Sequence, residues 1–466
     1  MSDELALMSA TDLLEGYRSG TISPCEATEA ALGRIEAHDG VLNAFVLVDA
    51  EGARAQARES EARWQAGTPM GALDGVPTTI KDLMLTKGWP TLRGSRTVDP
   101  EGPWDEDAPC VARLKEAGAV LLGKTTTPEF GWKGVGDSPQ SGITRNPWNT
   151  DKTPGGSSAG AASALAAGMG ALAIGSDGGG SIRIPCGFTG VFGIKANFGR
   201  VPAWPPSPMG TLSHVGPMTR TVEDSALMLT VIAGYDTRDW TSLPPDGTDW
   251  RDGLTAGIAG LRVAYSPTLG YARVDPEVAA RVREAVAVLG DLGAEVEEVD
   301  PGFEDPREIF MAHWWGGATA AFGVLPEEKK ALLEPELAQV VEEGRRYSAG
   351  DYVRAAMARA ELGKRMRLFH ERYDLLVTPA LAVPAFDVGR LAPDGYESDD
   401  YWLKWTPFSY PFNLTQQPAC SVPCGLTAEG LPVGLQIVAA NFREDLVLRA
   451  AHAYEQARAP IPWPTL

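Results

Sequence analysis

Short apolar runs alternate with amphipathic segments along most of the chain, and each change of period predicts a new element. The first clear helix begins in TISPCE, where Ser23 suits the N-cap, Pro24 the first helical position and Glu26 the third. Apolar residues then continue at helical spacing through Ile35. The pattern therefore predicts a largely helical segment over residues 1–70.

Further along the chain, short apolar or β-branched runs predict strands, and longer periodic segments predict helices. The predicted strands cover residues 43–48, 76–80, 119–122, 171–174, 263–265, 296–299 and 375–378. The predicted helices cover residues 52–65, 110–117, 158–169, 221–232, 276–292 and 351–372. Because helices and strands alternate, we expect an α/β fold with a largely parallel or mixed sheet.

Composition and charge exclude several classes of partner. Of the 466 residues, 44% are apolar and 22% are charged, as in ordinary globular proteins, and the formal net charge is −20. An acidic surface repels phosphate backbones and anionic lipids, so we expect neither nucleic acid nor a membrane as partner. The five scattered cysteines lack metal-ligand spacing, and the amino-terminal segment lacks the apolar core of a signal peptide. We therefore expect no metal and a cytoplasmic location.

Residues 118–125 (GAVLLGKT) match the phosphate-loop pattern, but their context does not fit it. A phosphate loop follows a strand and leads into a helix. Here the middle of the motif is itself strand-like, a predicted helix precedes it, and Thr127 and Pro128 follow it closely. We therefore predict no nucleotide site at Lys124.

Residues 156–160 (GSSAG) match the nucleophile elbow G-x-S-x-G, with Ser158 as the nucleophile. That device needs a buried strand directly before the serine, whereas RNPWNTDKTPGG is polar and rich in turn residues. Of the five histidines, only His214, in SHVGP, has a setting expected of a catalytic loop. A Ser-His-Asp triad using Ser158 stays open as a disfavoured alternative.

A third set of motifs fits its sequence context better than the phosphate-loop and elbow patterns do. It combines DGVPTTIKD (74–82), TPGGSSAG (153–160) and GSDGGGSIRIP (175–185). A lysine follows a strand, two serines lie between glycines, and a further serine ends a run of three glycines. Glycines allow several backbone N–H groups to converge on a developing oxyanion. A serine nucleophile needs an adjacent base, and a lysine serves as one when burial keeps it neutral.

These blocks make the chain similar to the amidase signature family of serine hydrolases, over about residues 26–455. Further matching blocks are DAPCVARLKEAGAVLLGKTTTPEFGW, GVFGIKANFGRV, VGPMTRTVEDSALML, QQPACSVPCG and GLPVGLQIV. The resemblance implies the amidase signature fold, a large mixed, mostly parallel β-sheet flanked by α-helices. It also implies a single domain over residues 1–466, with variable pocket segments at 240–410 and no cofactor.

The resemblance assigns roles to residues of this third set of motifs. Ser181 is the expected nucleophile, Ser157 the proton relay after a cis peptide bond with Gly156, and Lys81 the base. The expected oxyanion hole consists of the backbone amides of Gly178, Gly179, Gly180 and Ser181. The expected supporting residues are Ser158, Asp177 and Arg183.

The family hydrolyses amide C–N bonds, and some members cleave esters, carbamates or ureas. The expected pocket for aryl or alkyl amides draws on Trp132, Trp204 and Phe412, with Trp314, Trp315, Trp402 and Trp405 as further candidates. One branch of the family, the glutaminase-type subunit of a tRNA-dependent amidotransferase, carries a Tyr-Gly-Leu segment soon after its GRV block. Here that place reads GRVPAWPPSPMG. We therefore favour a stand-alone hydrolase of small molecules, monomeric or homodimeric, and keep the glutaminase as the alternative.

Overall fold

The computed structural model describes residues 2–466. The strands are β1 (Phe45–Val48), β2 (Pro77–Lys81), β3 (Val120–Thr125), β4 (Asp137–Ser138), β5 (Gly142–Ile143), β6 (Leu172–Asp177), β7 (Phe192–Lys195), β8 (His214–Thr219), β9 (Arg262–Tyr265), β10 (Glu295–Glu298), β11 (Leu375–Pro379), β12 (Ala419–Leu426) and β13 (Pro432–Ala439). The helices are α1 (Ser2–Ala6), α2 (Ala10–Ser19), α3 (Pro24–Leu42), α4 (Ala50–Gln65), α5 (Pro109–Glu116), α6 (Ala159–Ala166), α7 (Arg183–Thr189), α8 (Val222–Ile232), α9 (Pro276–Asp291), α10 (Arg307–Phe322), α11 (Glu327–Lys330), α12 (Pro335–Glu343), α13 (Ala349–Phe369), α14 (Tyr410–Leu414) and α15 (Glu444–Ala457).

The helix predicted from TISPCE is confirmed with its cap. The Glu26 amide donates to the Ser23 hydroxyl at 3.2 Å, and the Ser23 amide donates to the Glu26 carboxylate at 2.8 Å. These reciprocal bonds satisfy donors that the first turn of α3 leaves without a helical partner. Each of the other predicted helices and strands overlaps an observed element, with boundaries displaced by a few residues.

Eleven strands form one sheet in the order β1-β3-β2-β6-β8-β7-β12-β13-β11-β9-β10. A large mixed sheet flanked by helices is confirmed, but the expectation that parallel pairs dominate is wrong. The parallel pairs are β2 with β3, β2 with β6, β9 with β10 and β9 with β11, and the other six pairs are antiparallel. The central β8, β7, β12 and β13 cause the difference, because the sequence pattern predicted no strand in any of them.

The parallel pair of β2 and β6 positions the first two polar groups of the site. Thr78 pairs with Leu172 and Ile80 with Ile174, so the carboxyl ends of both strands reach the same edge of the sheet. Lys81 ends β2, and Ser176 is the last residue but one of β6. Their side chains therefore meet although 95 residues separate them.

Helices α6 and α7 bring the serines to that edge. The two helices share one apolar cluster, in which Ala161, Ala162 and Leu165 of α6 meet Ile182 and Cys186 around α7. Small alanine side chains let the helices approach closely. Because Ser157 and Ser158 precede α6, and Ser181 precedes α7, this packing places the three serines at neighbouring helix starts.

Lys124 lies inside β3 and is fully buried. Its ammonium donates to the Met84 carbonyl at 2.7 Å and to the Thr91 hydroxyl at 2.8 Å, and it lies 3.5 Å from the Asp82 carboxylate. The residues of the phosphate-loop pattern thus form a buried strand with internal partners. Among the helices of residues 2–466, none has the length and hydropathy to cross a membrane.

Candidate active site

Lys81 lies at the centre of a cluster of hydroxyl groups. Its Nζ atom is 2.7 Å from Ser157 Oγ, 2.9 Å from Ser158 Oγ and 2.9 Å from Ser176 Oγ. The lysine itself is fully buried. Three hydroxyls match the three donors of an ammonium group, so the cluster satisfies Lys81 in its charged form.

The neutral form of Lys81 has two donors and one lone pair, so one hydroxyl must turn its hydrogen toward Nζ. Ser158 is poorly suited for this because its hydroxyl already donates to the Ser176 carbonyl at 3.2 Å. The Ser176 amide also donates to the Ser158 oxygen at 3.3 Å. The hydroxyl hydrogens of Ser157 and Ser176 have no such acceptor among the described residues. Ser157 and Ser176 are therefore the hydroxyls that are free to turn a hydrogen toward the neutral amine.

Burial holds the pKa of Lys81 well below its ordinary value of 10.5, and the negative charge of Asp177 opposes this only in part. Desolvation penalises the charged ammonium more than the neutral amine. The neutral amine is therefore populated at a lower pH than in an exposed lysine, which is the property a general base requires.

Ser181 lies at the end of the glycine loop and is 5% exposed. Its main-chain carbonyl accepts from the Ser158 amide at 3.2 Å, which ties the glycine loop to the serine pair. The peptide bond between Gly156 and Ser157 is cis. Backbone hydrogen bonding thus holds the loops that carry Ser157, Ser158 and Ser181 against each other.

The amides of Gly178 and Gly179 have no acceptor among the described residues. Aromatic rings pack behind them, so that a Cβ atom at Gly178 would lie 2.8 Å from the Trp314 ring. A Cβ atom at Gly179 would lie 2.7 Å from the Trp402 ring. Only glycine fits between these rings and the site, and the two amides stay available to an incoming oxyanion.

The expectation that Gly180 also supplies an oxyanion donor is corrected. Its amide donates to Asp177 Oδ1 at 2.7 Å, so its hydrogen is directed to a carboxylate inside the loop. Gly180 has a φ of +128°, a conformation that L side chains rarely adopt. Gly180 therefore shapes the turn, and Gly178 and Gly179 are the glycines with free amides.

Asp177 and Arg183 form a fully buried, two-bonded ion pair beneath the loop. Arg183 Nε lies 2.9 Å from Asp177 Oδ2, and Nη2 lies 2.9 Å from Oδ1. Burial alone would raise the pKa of Asp177, but the charge and hydrogen bonds of Arg183, followed by Lys195 and Asn413, lower it overall. The three remaining Arg183 donors reach the Asn413 side chain at 2.7 Å, the Gln436 side chain at 2.8 Å and the Ser409 carbonyl at 3.0 Å. Asp177 is thus held ionised, as a buried anchor of the loop.

The structure contradicts the elbow alternative for Ser158. No strand leads directly into Ser158, because residues 144–158 contain none, and its hydroxyl contacts Lys81 and the main chain of Ser176. His214 Nδ1 lies 2.8 Å from the Leu212 carbonyl and 3.2 Å from the Asp177 carbonyl. The geometry does not bring Ser158 and a histidine together.

A cavity of about 510 Å³ opens onto the lysine cluster at Ser176. Residues 202–208, which follow the GRV block, line one side of it, and Phe130 and Phe322 line another. The two phenylalanine rings stack with their centroids 4.3 Å apart. A cavity of this size and mostly apolar lining suits the body of a small organic substrate.

Trp204 lines this cavity as expected, whereas Trp132 and Phe412 do not. Both lie fully buried in one aromatic core cluster, which also contains Trp314, Trp315, Trp402 and Trp405. The Trp132 indole donates to the Glu334 carboxylate, away from the cavity. The expectation that Trp132 and Phe412 line the pocket is therefore corrected: both rings are packed in the buried core.

Sequence reasoning missed Ser176, Asn413 and Gln436. Ser176 was overlooked because it stands between Gly175 and Asp177 in a strand, where a serine has no motif of its own. Asn413 and Gln436 come from α14 and β13, more than 200 residues after the glycine loop. In residues 2–466, no three His, Cys, Asp or Glu side chains are arranged to hold a metal ion.

Known proteins of one family resemble this chain over nearly its whole length. The sequence model of the Amidase family matches residues 26–448. An acylamidase of Rhodococcus erythropolis is 38% identical over 470 residues, which cover 98% of this chain and 96% of that protein. A glutamyl-tRNA(Gln) amidotransferase subunit of Moorella thermoacetica is 36% identical, covering 97% of each chain.

Among solved structures, a bacterial aryl acylamidase of the amidase signature family superposes with a TM-score of 0.89. It is 31% identical, and the match covers 97% of this chain and 96% of that one. Fold and comparisons together define an enzyme that hydrolyses amide C–N bonds in small molecules. The chain belongs to the amidase signature family.

Proposed function

We propose that the chain hydrolyses aryl and alkyl amides through an acyl-enzyme on Ser181, with Ser157 as proton relay and Lys81 as base. The observation that carries this proposal is the 2.7 Å contact between Lys81 Nζ and Ser157 Oγ, with the lysine fully buried. A hydroxyl held by a buried lysine on one side passes a proton efficiently to that lysine from the other.

In the first half-reaction, the Ser181 oxygen attacks the carbonyl carbon of the amide. Its proton moves to Ser157, and the Ser157 proton moves to Lys81. The amides of Gly178, Gly179 and Ser181 stabilise the resulting oxyanion. The C–N bond then breaks as the proton returns from Lys81 through Ser157 to the leaving nitrogen, and the amine departs.

In the second half-reaction, water takes the place of the amine. Lys81 accepts a proton from the water through Ser157, and the hydroxide attacks the acyl-enzyme. The new oxyanion collapses, the bond to Ser181 breaks, and the proton returns to the Ser181 oxygen. The products are a carboxylic acid and an amine, and the protein ends in its starting state.

The cavity supports an aryl or alkyl amide substrate. Its lining includes Trp204, Phe130 and Phe322, and its volume of about 510 Å³ exceeds the space that a simple aliphatic amide fills. Carbamates and esters present the same carbonyl to Ser181 and are expected as further substrates. The names of the similar acylamidase and aryl acylamidase favour this substrate class.

A glutaminase-type activity is the second candidate, because the similar amidotransferase chain is 36% identical, against 38% for the acylamidase. The segment that sets the two candidates apart is 202–208, which lines the cavity. It carries Trp204 and four prolines, which favours an apolar substrate body over the polar chain of glutamine.

We expect the protein to act as a monomer or a homodimer in the cytoplasm, without nucleic acid or membrane. Its net charge of −20 supports the absence of polyanionic partners. All five cysteines are free thiols, which supports a reducing compartment.

A substrate panel with a Ser181→Ala control tests the proposal. The panel contains anilides, aliphatic amides, aryl carbamates, aryl esters and glutamine. We expect turnover of anilides and alkyl amides, with Ser181→Ala at background. Turnover of glutamine alone would favour the amidotransferase candidate, and undiminished turnover by Ser181→Ala would refute the role of that serine.

A further inference from the structure

The geometry points to Arg93 as a specificity residue that selects amides bearing a carboxylate remote from the scissile bond. This inference rests on the proposed function and narrows its substrate class. The favoured substrate has an apolar body in the cavity, its amide at the serine cluster, and an anionic group at Arg93.

Arg93 is the one charged residue among the described residues that line the cavity. The rest of the wall is apolar or carries neutral hydroxyls, those of Thr97, Ser176, Ser207 and Ser213. No acidic side chain of the described residues contributes to the lining. An anion that enters the cavity therefore meets one cation and no opposing carboxylate.

The guanidinium of Arg93 forms no hydrogen bond or ion pair within the described chain. Asp82, the acidic group whose charge acts on Arg93, is already engaged: its Oδ2 accepts from the Arg93 main-chain amide at 2.8 Å. Its Oδ1 lies 3.5 Å from Lys124 Nζ. Burial lowers the pKa of Arg93, and the charge of Asp82 offsets this only in part. The protein thus leaves five N–H donors of a half-buried cation without an internal acceptor.

The backbone holds Arg93 in a conformation that a bulky residue adopts rarely. Arg93 has a φ of +58° and Phe130 a φ of +52°, and both line the cavity. The Phe130 amide donates to the Arg93 carbonyl at 2.7 Å, which fixes the two segments together. Left-handed conformations of non-glycine residues are strained and concentrate at ligand sites.

A carboxylate is the ligand that fits this arrangement. The planar guanidinium binds a carboxylate through two parallel hydrogen bonds, and such bonds are stronger in an apolar cavity than in water. The protein as a whole carries a charge of −20, so its long-range field does not attract anions. Selection of an anionic substrate must therefore come from a local cation, and Arg93 supplies it.

Two pairs of anilides test the inference and locate the carboxylate. One pair carries it on the amine side: 4-acetamidobenzoate against the neutral 4-acetamidoacetophenone. The other carries it on the acyl side: succinanilate against neutral pentananilide. In each pair the ratio of kcat/KM values, anionic over neutral, is measured in the wild type and in Arg93→Met. Comparing the ratio between proteins cancels the intrinsic reactivity of each substrate.

We expect the ratio to fall by about tenfold or more in Arg93→Met for one pair, and Arg93→Lys to restore part of it. Arg96→Met is the matched control, because Arg96 is exposed and lines a different cavity. That variant should keep the wild-type ratio. A ratio unchanged by Arg93→Met in both pairs would overturn the inference.

Calorimetric binding of benzoate to the wild-type protein tests the inference without measuring turnover and without requiring that any variant folds. We expect benzoate to bind about tenfold or more tightly than neutral acetophenone. Equal affinities would overturn the role of Arg93 even if anilides are cleaved. Preferential benzoate binding without any Ser181-dependent anilide cleavage would instead refute the proposed function and leave the anion site standing.

Discussion

The main-chain amide of Gly180 donates to the carboxylate of Asp177 at 2.7 Å, within a loop that was expected to direct all its glycine amides at the substrate. The same carboxylate accepts two bonds from Arg183. One buried ion pair therefore fixes the turn that precedes Ser181. The Gly180 amide is engaged inside the loop, whereas the amides of Gly178 and Gly179 have no acceptor among the described residues.

Replacing Asp177 by Asn should destabilise the fold and reduce turnover together. The amide keeps the size of the side chain but leaves the buried Arg183 without its charge partner, which costs about 3–5 kcal/mol. Equilibrium unfolding in urea measures the free energy of unfolding, and kcat on an anilide shows whether the glycine loop still supports catalysis. Asp394→Asn is the control, because Asp394 forms an exposed pair with Arg390 and its loss should change little. Equal unfolding free energies for Asp177→Asn and the wild type would contradict this account.

A methyl group at Gly178 should displace the oxyanion donors. The added Cβ atom would lie 2.8 Å from the Trp314 ring, so Gly178→Ala must shift the loop or the ring. We expect a loss of about 100-fold or more in kcat, the scale of one lost oxyanion donor. Combining it with Trp314→Phe, which shortens the ring, should recover part of the loss.

Gly363→Ala is the control for Gly178→Ala. Gly363 lies in α13, and a Cβ atom there meets nothing within 4 Å. That substitution should leave kcat unchanged and stabilise the helix by about 0.5–1 kcal/mol. Full activity in Gly178→Ala would show that the loop does not bind the oxyanion through this amide.

The two adjacent serines should differ in their effect on catalysis. Ser157→Ala removes the proton relay and should lower kcat by about 100-fold or more. Ser158→Ala removes one acceptor from Lys81 and one donor to the Ser176 carbonyl, so a smaller loss of about tenfold is expected. Single-turnover rates on one anilide compare the variants. The reverse order of effects would revive Ser158 as the reacting group.

The pH dependence of kcat/KM should report the depressed pKa of Lys81. The base acts in its neutral form, so activity rises with pH and levels off above that pKa, which burial holds well below 10.5. Lys81→Arg keeps a cation that does not deprotonate and should be inactive at every pH. If kcat/KM rises only near pH 10.5, or if the Lys81→Arg variant is active, Lys81 is excluded as the base.

The helices and strands that carry the site could be predicted from the sequence because a short local pattern of residues indicates each of them. Ser23 and Glu26 form the capping box that predicts the start of α3, and a short β-branched run predicts the strand that ends at Lys81. The sheet was predicted less well. Its antiparallel centre joins the consecutive strands β7 and β8 (residues 192–219) to the consecutive strands β12 and β13 (residues 419–439) through the pairing of β7 with β12, which are far apart in the chain. No local pattern specifies such pairing.

Within the site, resemblance indicated the residues but not their contacts. The contact of Ser176 with Lys81 depends on the pairing of β2 with β6, and the hydrogen bond of the Gly180 amide depends on the turn that Asp177 closes; no motif specifies either. Aromatic residues such as Trp132 and Phe412 suit both pockets and cores. The sequence alone does not distinguish the two environments, and here the core holds both rings.

Covalent labelling with a fluorophosphonate, followed by peptide mapping, tests the central claim most directly. The reagent is attacked by the activated serine and stays on it. We expect a single adduct on Ser181, which forms much more slowly in Lys81→Ala and is absent in Ser181→Ala. An adduct on Ser157 or Ser158 in the wild-type protein, with Ser181 unmodified, would contradict it.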